Sequence, residues 1–227
     1  MAKNKRMKKL YSEIDPKKSY PIEKAVELVK KTSTANFDET IEVHIRLNIN
    51  PKKGEQQVRS TTVLPHKFGK AKKIAAFVPE SKKQEAEKAG ADLVITEDEI
   101  VDFAKKGKIN FDLAVACPET MKSLAPLAKT LGPKGLMPSP KNDTIAKDLE
   151  KTIGELKKGK IAFKNDDSAN IHQAIGKVST DNKALIENYE TFMQAVQAAK
   201  PDSAKGVFIK NISICSSMGP GLKLEIK

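Results

Sequence analysis

The hydrophobic pattern of this chain changes period twice, and that constrains the fold more than any other feature of the sequence. Near the start, Ile22, Ala25, Val26 and Val29 fall at helical spacing behind Pro21, which predicts a first helix within 19–34. Ile41, Val43, Ile45 and Leu47 then alternate with Glu42, His44, Arg46 and Asn48, the period-two signature of a strand with one wet face. A second strand is expected over 57–64, after the turn residues Asn50-Pro51-Lys52-Lys53-Gly54. From about Lys72 to Lys158 the alternation gives way to short, continuously apolar runs: Ile74 to Val78, Leu93 to Ile95 and Leu113 to Cys117. Charged helical stretches over 80–89 and 97–106 separate these runs, and a further helix is expected over 118–131. Strands buried on both faces and alternating with helices imply a parallel sheet of βαβ units. After Gly159 the wet-faced character returns, with strands expected over 160–164, 206–213 and 222–226. A helix over 182–199 carries Leu185, Tyr189, Phe192, Val196 and Ala199 as one apolar stripe, read as core.

Neither end of the chain makes a comfortable domain alone. The expected fold is a two-layer α+β domain formed by both chain ends (1–67 and 160–227), interrupted by an inserted three-layer α/β, Rossmann-like domain (68–159). The crossings fall near Lys67 to Lys73 and Lys157 to Lys160, where Gly69 and Gly159 make hinge motion an expectation.

Charge divides unevenly between these parts. The whole chain carries a formal net charge of +12. The two ends hold 24 Lys and Arg against 15 Asp and Glu, the insert 17 against 14. A surplus of this kind supports nucleic-acid binding through phosphate neutralisation and counterion release, without specifying sequence. A solvated basic face with no partner is the alternative. With 39% hydrophobic and 31% charged residues the composition is that of a soluble globular protein, and no apolar run approaches the roughly 20 residues a bilayer crossing needs. The basic start (Lys3, Lys5, Arg6, Lys8, Lys9) lacks the apolar segment of a secretory signal, so a cytoplasmic location is expected. Cys117 and Cys215, far apart in apolar contexts, are expected to be buried thiols of a reducing compartment. Three histidines, His44, His66 and His172, without CxxC or HExxH spacing give no reason to expect a metal.

The segment Leu131-Gly132-Pro133-Lys134-Gly135-Leu136-Met137-Pro138-Ser139-Pro140-Lys141 lacks the G-x-x-x-x-G-K-[ST] order of a phosphate loop, and its prolines remove amide donors. No G-x-G-x-x-G follows the strand ending at Val78, so no dinucleotide or other cofactor is expected. There is no G-x-S-x-G, no cysteine with a sequence-evident histidine partner, and no facing pair of carboxylates, Asp166-Asp167 reading as a solvated loop. His172 suits an RNA contact or a loop cap equally. Ser216-Ser217-Met218-Gly219-Pro220-Gly221 reads either as a plain hairpin turn or as a contact surface, its glycines permitting unusual backbone angles and close approach.

Several segments together carry a family resemblance. They are the proline-glycine segment 131–141, Phe37-Asp38-Glu39-Thr40-Ile41-Glu42-Val43-His44, Gln57-Val58-Arg59, Leu64-Pro65-His66, Ile171-His172, Ile175-Gly176-Lys177 and Ser217-Met218-Gly219-Pro220. In this order, across essentially the whole chain, they resemble the bacterial large-subunit ribosomal protein L1 (uL1) family. The resemblance implies a first domain built from both chain ends with a second inserted in it. It further implies binding to a junction in the large-subunit rRNA, a place in the mobile stalk beside the tRNA exit site, and help in the departure of deacylated tRNA. Repression of the protein's own operon mRNA, contact with other ribosomal components, a monomeric state off the ribosome and absence of catalysis complete the implied picture.

Carried over residue by residue, the family's RNA contacts fall on Asn36, Phe37 and Thr40, and on Ser217, Met218 and Gly219. Phe37 is expected to give an apolar or stacking contact, with a core role as the alternative, and Thr40 a hydroxyl hydrogen bond. Met218 and Gly219 are expected to offer a flat surface with backbone contacts. Arg46 and Lys164, expected on neighbouring wet strand faces, would add phosphate contacts, and His172 and Asn211 are also counted among the expected RNA-binding residues. Asn36, Asn211 and Ser217 stand where the family commonly has Lys, Ser and Thr. The rival function is an enzyme that binds a nucleotide in the α/β insert, since that architecture hosts many activities.

Overall fold

The computed structural model describes residues 5–12, 14–15, 18–100, 109–146 and 148–226. The chain begins with α1 (Lys5–Ser12), β1 (Ser19–Tyr20), α2 (Ile22–Thr32), β2 (Thr40–Leu47) and β3 (Arg59–Val63). There follow β4 (Ile74–Phe77), α3 (Lys83–Lys88), β5 (Leu93–Ile95), β6 (Leu113–Ala116), α4 (Ala125–Leu131) and α5 (Leu149–Lys158). It closes with β7 (Lys160–Lys164), β8 (Asn170–Lys177), α6 (Asn182–Ala198), β9 (Ile209–Ser216) and β10 (Leu222–Leu224). Two compact units result, one of 1–69 with 161–227, the other of 70–160.

In the first unit five strands make one sheet in the order β1-β10-β9-β2-β8. The central strand β2 runs antiparallel to both β8 and β9, while β1 pairs parallel with β10. The alternation of β2 decides which face is dry: Ile41, Val43, Ile45 and Leu47 are buried with Ile171, Ile212 and Ile214 of the flanking strands. Onto that face α2 lays Ala25, Val26 and Val29, and α6 lays Leu185, Phe192 and Val196, all within one core. Burying a side chain of the size of Leu185 or Val196 contributes about 1.5–3 kcal/mol. The separate two-stranded sheet of β3 and β7 adds Phe163, whose ring stands edge-on to Phe192 at 5.3 Å. Helix α6 starts where Asp181 accepts a hydrogen bond from the Lys183 amide. Its one fully buried polar side chain, Asn188, is satisfied: it donates to the carbonyls of His66 and Ile175 and accepts from the His66 amide.

The second unit holds a three-stranded parallel sheet, β5-β4-β6, in which every residue of β4 is buried. Ile74, Ala76 and Val78 point to one face, with Ala86 of α3 and Leu149, Ile153 and Leu156 of α5. Ala75 and Phe77 point to the other, with Leu124, Leu127 and Leu131 before and within α4. Continuous apolarity in β4 thus reflects covering on both sides. The proline-glycine segment closes α4: the Leu136 amide donates to the Leu131 carbonyl, and Gly135 takes a left-handed φ of 68°. Gly69 and Gly159, at the two crossings between units, also have positive φ, 79° and 104°.

The structure corrects several expectations. Ser19 and Tyr20 form a strand and not the first turn of a helix, because Pro21 disfavours helical angles at Tyr20, and α2 begins at Ile22. The helix expected over 118–131 is divided into a 3₁₀ turn, Glu119–Met121, and α4. Strand β9 covers 209–216 and not 206–213, since Gly206 turns with a φ of 77°. The basic start forms α1 and 170–177 forms β8, two segments for which no element was expected. The helix expected over 97–106 is seen over 97–100; its remainder lies outside the described residues.

Candidate nucleic-acid interface

Because β2 alternates, its even-numbered residues and their cross-strand partners share the face that no helix of the core covers. Register places Arg46 between Asn170 and Asn211, His44 between His172 and Ser213, and Glu42 between Ala174 and Cys215. Thr40, opposite Lys177, ends the row. Arg46 and His172 are exposed, and Asn211, Ser213, His44 and Cys215 are half-buried. His172 therefore caps no loop; it stands on a strand. Four of the residues singled out from sequence, Thr40, Arg46, His172 and Asn211, lie on this one face. Lys164 is exposed but belongs to β7 in the other sheet, so it is not on a strand next to Arg46. The segment after it reaches β8 through Asn165, which bridges to Ile171, and through Asp166, which bonds with Asn170.

At the Thr40 end, two segments meet from opposite ends of the chain. The Ser217 amide donates to the Thr40 carbonyl (2.9 Å), and the Thr40 amide donates to Ser217 Oγ (3.2 Å). The Ser217 hydroxyl is thus committed to Thr40's backbone. Beneath them lies Glu39, 0% exposed. It accepts from the Ser33 hydroxyl (2.7 Å), the Ala35 amide (3.0 Å) and the Met218 amide (3.0 Å). Burial alone would raise its pKa. The dipoles of the nearby Ser216 and Ser33 hydroxyls and the Met218 and Ala35 amides outweigh that and pull it down to about 2. Arg6 of α1 completes the corner, donating to the Met218 carbonyl (2.6 Å) and to Thr34 Oγ1 (2.8 Å). Asp38 is held outside by Ser179, which donates through its amide and hydroxyl, and by Lys177 at 3.4 Å.

What this scaffold presents is apolar. Phe37 is 58% exposed and Met218 50% exposed, while Asn36 is exposed beside Phe37. Phe37 is not a core residue. The backbone at Met218 and Gly219 is partly engaged within the chain. Met218 uses its amide on Glu39 and its carbonyl on Arg6, and the Gly219 amide donates to the Ser216 carbonyl. Met218 therefore has its side chain to offer. Neither Gly219 nor Gly221 adopts a positive φ. At Gly219 the space is tight, since a Cβ there would stand 2.4 Å from Ser216 Oγ and displace that hydroxyl.

Sequence reasoning missed Glu39, Arg6 and one pairing on the open face. His44 Nδ1 lies 2.7 Å from His172 Nδ1, and His44 Nε2 lies 3.2 Å from Cys215 Sγ, so a cysteine does have a histidine partner. Cys215 is half-buried, unlike the fully buried Cys117. Burial, then Glu42 and Glu39, push its thiol up to about 11, and burial with His172 lowers His44. A neutral thiol against a neutral imidazole makes a hydrogen-bonding surface, not an activated nucleophile. Asp166 is more than a solvated loop residue: it accepts from the Ser168 and Asn170 amides and stands 3.5 Å from His172 Nε2. Among the described residues no group of three His, Cys, Asp or Glu is arranged to hold a metal, and no helix is long and apolar enough to cross a membrane.

A hydrogen-bonding sheet face continued by an exposed apolar corner, on the more basic part of a basic chain, belongs to a binding protein. Residues 29–220 match the family described as Ribosomal protein L1p/L10e, and the chain belongs to that family. It is thus a ribosomal protein that binds ribosomal RNA, with a structural role.

Proposed function

We propose that the open face of β8, β2 and β9, with the Phe37–Met218 corner, binds a folded junction in large-subunit rRNA and forms the stalk beside the exit site of a bacterial ribosome. One observation carries this reading: register lines up Thr40, Arg46, His172 and Asn211 on the bare face, which continues into two exposed apolar side chains. Phe37 and Met218 pack on sugars or unstacked bases, Arg46 meets phosphate, and Asn211 and the histidine pair supply hydrogen bonds to 2′-hydroxyls. Shape is read by packing and attraction is supplied by charge. On the same reading the protein assists the release of deacylated tRNA, and it represses its own operon by binding a similar fold in the messenger. Asn36 and Lys164, both exposed, border the RNA and leave its apolar centre to Phe37 and Met218.

The test is a gel-shift titration of the junction RNA against a random duplex of equal length at several salt concentrations. Preference for the junction that persists at high salt supports the proposal, because counterion release alone is indifferent to sequence and shape. Equal affinity at every salt concentration sinks it.

A further inference from the structure

The first unit carries a second surface feature, on the helix side of its sheet and away from the proposed RNA face. Between the start of α2, the second half of α6 and the strands β9 and β10 lies a groove of about 460 Å³. Ile22, Tyr189, Met193, Ile212 and Leu224 give it an apolar lining, and Ile226, 46% exposed, stands at its edge. Three carboxylates also line it: Glu23, Glu190 and Glu225. All three are exposed, and none forms an ion pair with another described residue. In a chain of net charge +12 a cluster of unpaired carboxylates around an apolar groove is a local reversal of the surface charge.

We propose that this groove docks a basic segment of a partner protein, one or two apolar side chains packing against Tyr189 and Met193 while flanking lysines or arginines meet Glu23, Glu190 and Glu225. Charge complementarity selects this occupant. Phosphate is repelled by the three carboxylates, and an acidic segment would be drawn to the basic remainder of the chain instead. A helix or strand of ordinary width fits a groove of this volume with only one face inserted, which is how amphipathic segments are recognised. The site is independent of the RNA reading: Ile212 and Leu224 face the helices, whereas Asn211, Ser213 and Cys215 face the open side.

The probe is a fluorescein-labelled fourteen-residue peptide of leucine and lysine in amphipathic helical order, titrated by anisotropy into the full chain. A serine-for-leucine peptide of equal charge and a leucine-glutamate peptide serve as controls. The expected result is saturable binding of the leucine-lysine peptide alone. It should weaken at least tenfold in the triple variant Glu23→Gln, Glu190→Gln, Glu225→Gln and again in Met193→Asp, with junction-RNA affinity of both variants within twofold of wild type. Equal binding by the triple variant, or stronger binding of the leucine-glutamate peptide, overturns the proposal. A dimer in sedimentation that Met193→Asp dissolves overturns it in favour of a second copy of this chain.

Discussion

The two units of this protein use the same material, strands with helices packed on them, to opposite ends. In the insert, β4 is covered on both faces, so Ala75 and Phe77 go into one core and Ala76 and Val78 into the other. Nothing along that strand is left to meet a ligand. In the composite unit, β2 gives one face to the helices and keeps Thr40, Glu42, His44 and Arg46 for the outside. In β4 every side chain goes into a core, and β2 divides its side chains between the core and the face proposed to bind RNA. An alternating strand in a basic chain is therefore worth reading as a surface, and a continuous one as scaffold.

The largest effect that sharpens this contrast belongs to the scaffold. Ala76→Asp places an unpaired charge between β4 and α3, and should destabilise the insert by about 4–5 kcal/mol or more, seen as loss of its cooperative unfolding transition. Met218→Asp, on the half-exposed corner, should leave the melting temperature near wild type but weaken junction-RNA binding about a hundredfold, about 2.8 kcal/mol; retained affinity moves the site elsewhere. Glu39→Gln should cost about 2 kcal/mol of stability in denaturant titration, because three donors lose a charged acceptor. Its pH dependence has a definite sign. Glu39 has its pKa lowered from 4.5 to about 2, so its contribution is present above pH 4.5 and disappears as pH falls toward 2. The stability gap between wild type and Glu39→Gln should close across that window, and a constant gap contradicts the assignment. The smallest effect is Arg46→Gln, which should change stability by no more than about 0.5 kcal/mol and reduce the salt slope of RNA binding by about one. An unchanged slope would separate Arg46 from the phosphates.

What the sequence revealed follows from the range of the interactions involved. Strand β2 and helix α6 were legible because their periodicity is local: Leu185, Phe192 and Val196 announce a stripe without reference to the rest of the chain. Strand β1 was not, since two residues carry no period and exist as a strand only through Lys223 and Leu224. Strand β8 hid behind a register shift opposite Ile41 and Glu42, which breaks its alternation, and behind Gly176, where a Cβ would strike Leu185. The apolar tips of the interface, Phe37 and Met218, were found through resemblance. Their support was not, for Glu39 reads as one more charged residue beside a strand. The clue it did offer is electrostatic: a carboxylate between Phe37 and Thr40, two residues expected to touch an anion, must be doing something other than touching it. The His44–Cys215 pair left no such clue, because 171 positions separate its members.

The corner at Glu39 has a consequence for the order of events during synthesis. Its acceptor is made early, its donor Met218 is 179 residues later, and between them comes the whole insert. Strand β9, which brings Ser217 and Met218 to Thr40, sits inside the sheet between β10 and β2 and is made after the insert. A growing chain can fold its insert and still have no finished corner. On the proposed reading the RNA-binding corner is finished only after the insert has been made, so a chain interrupted before β9 lacks it.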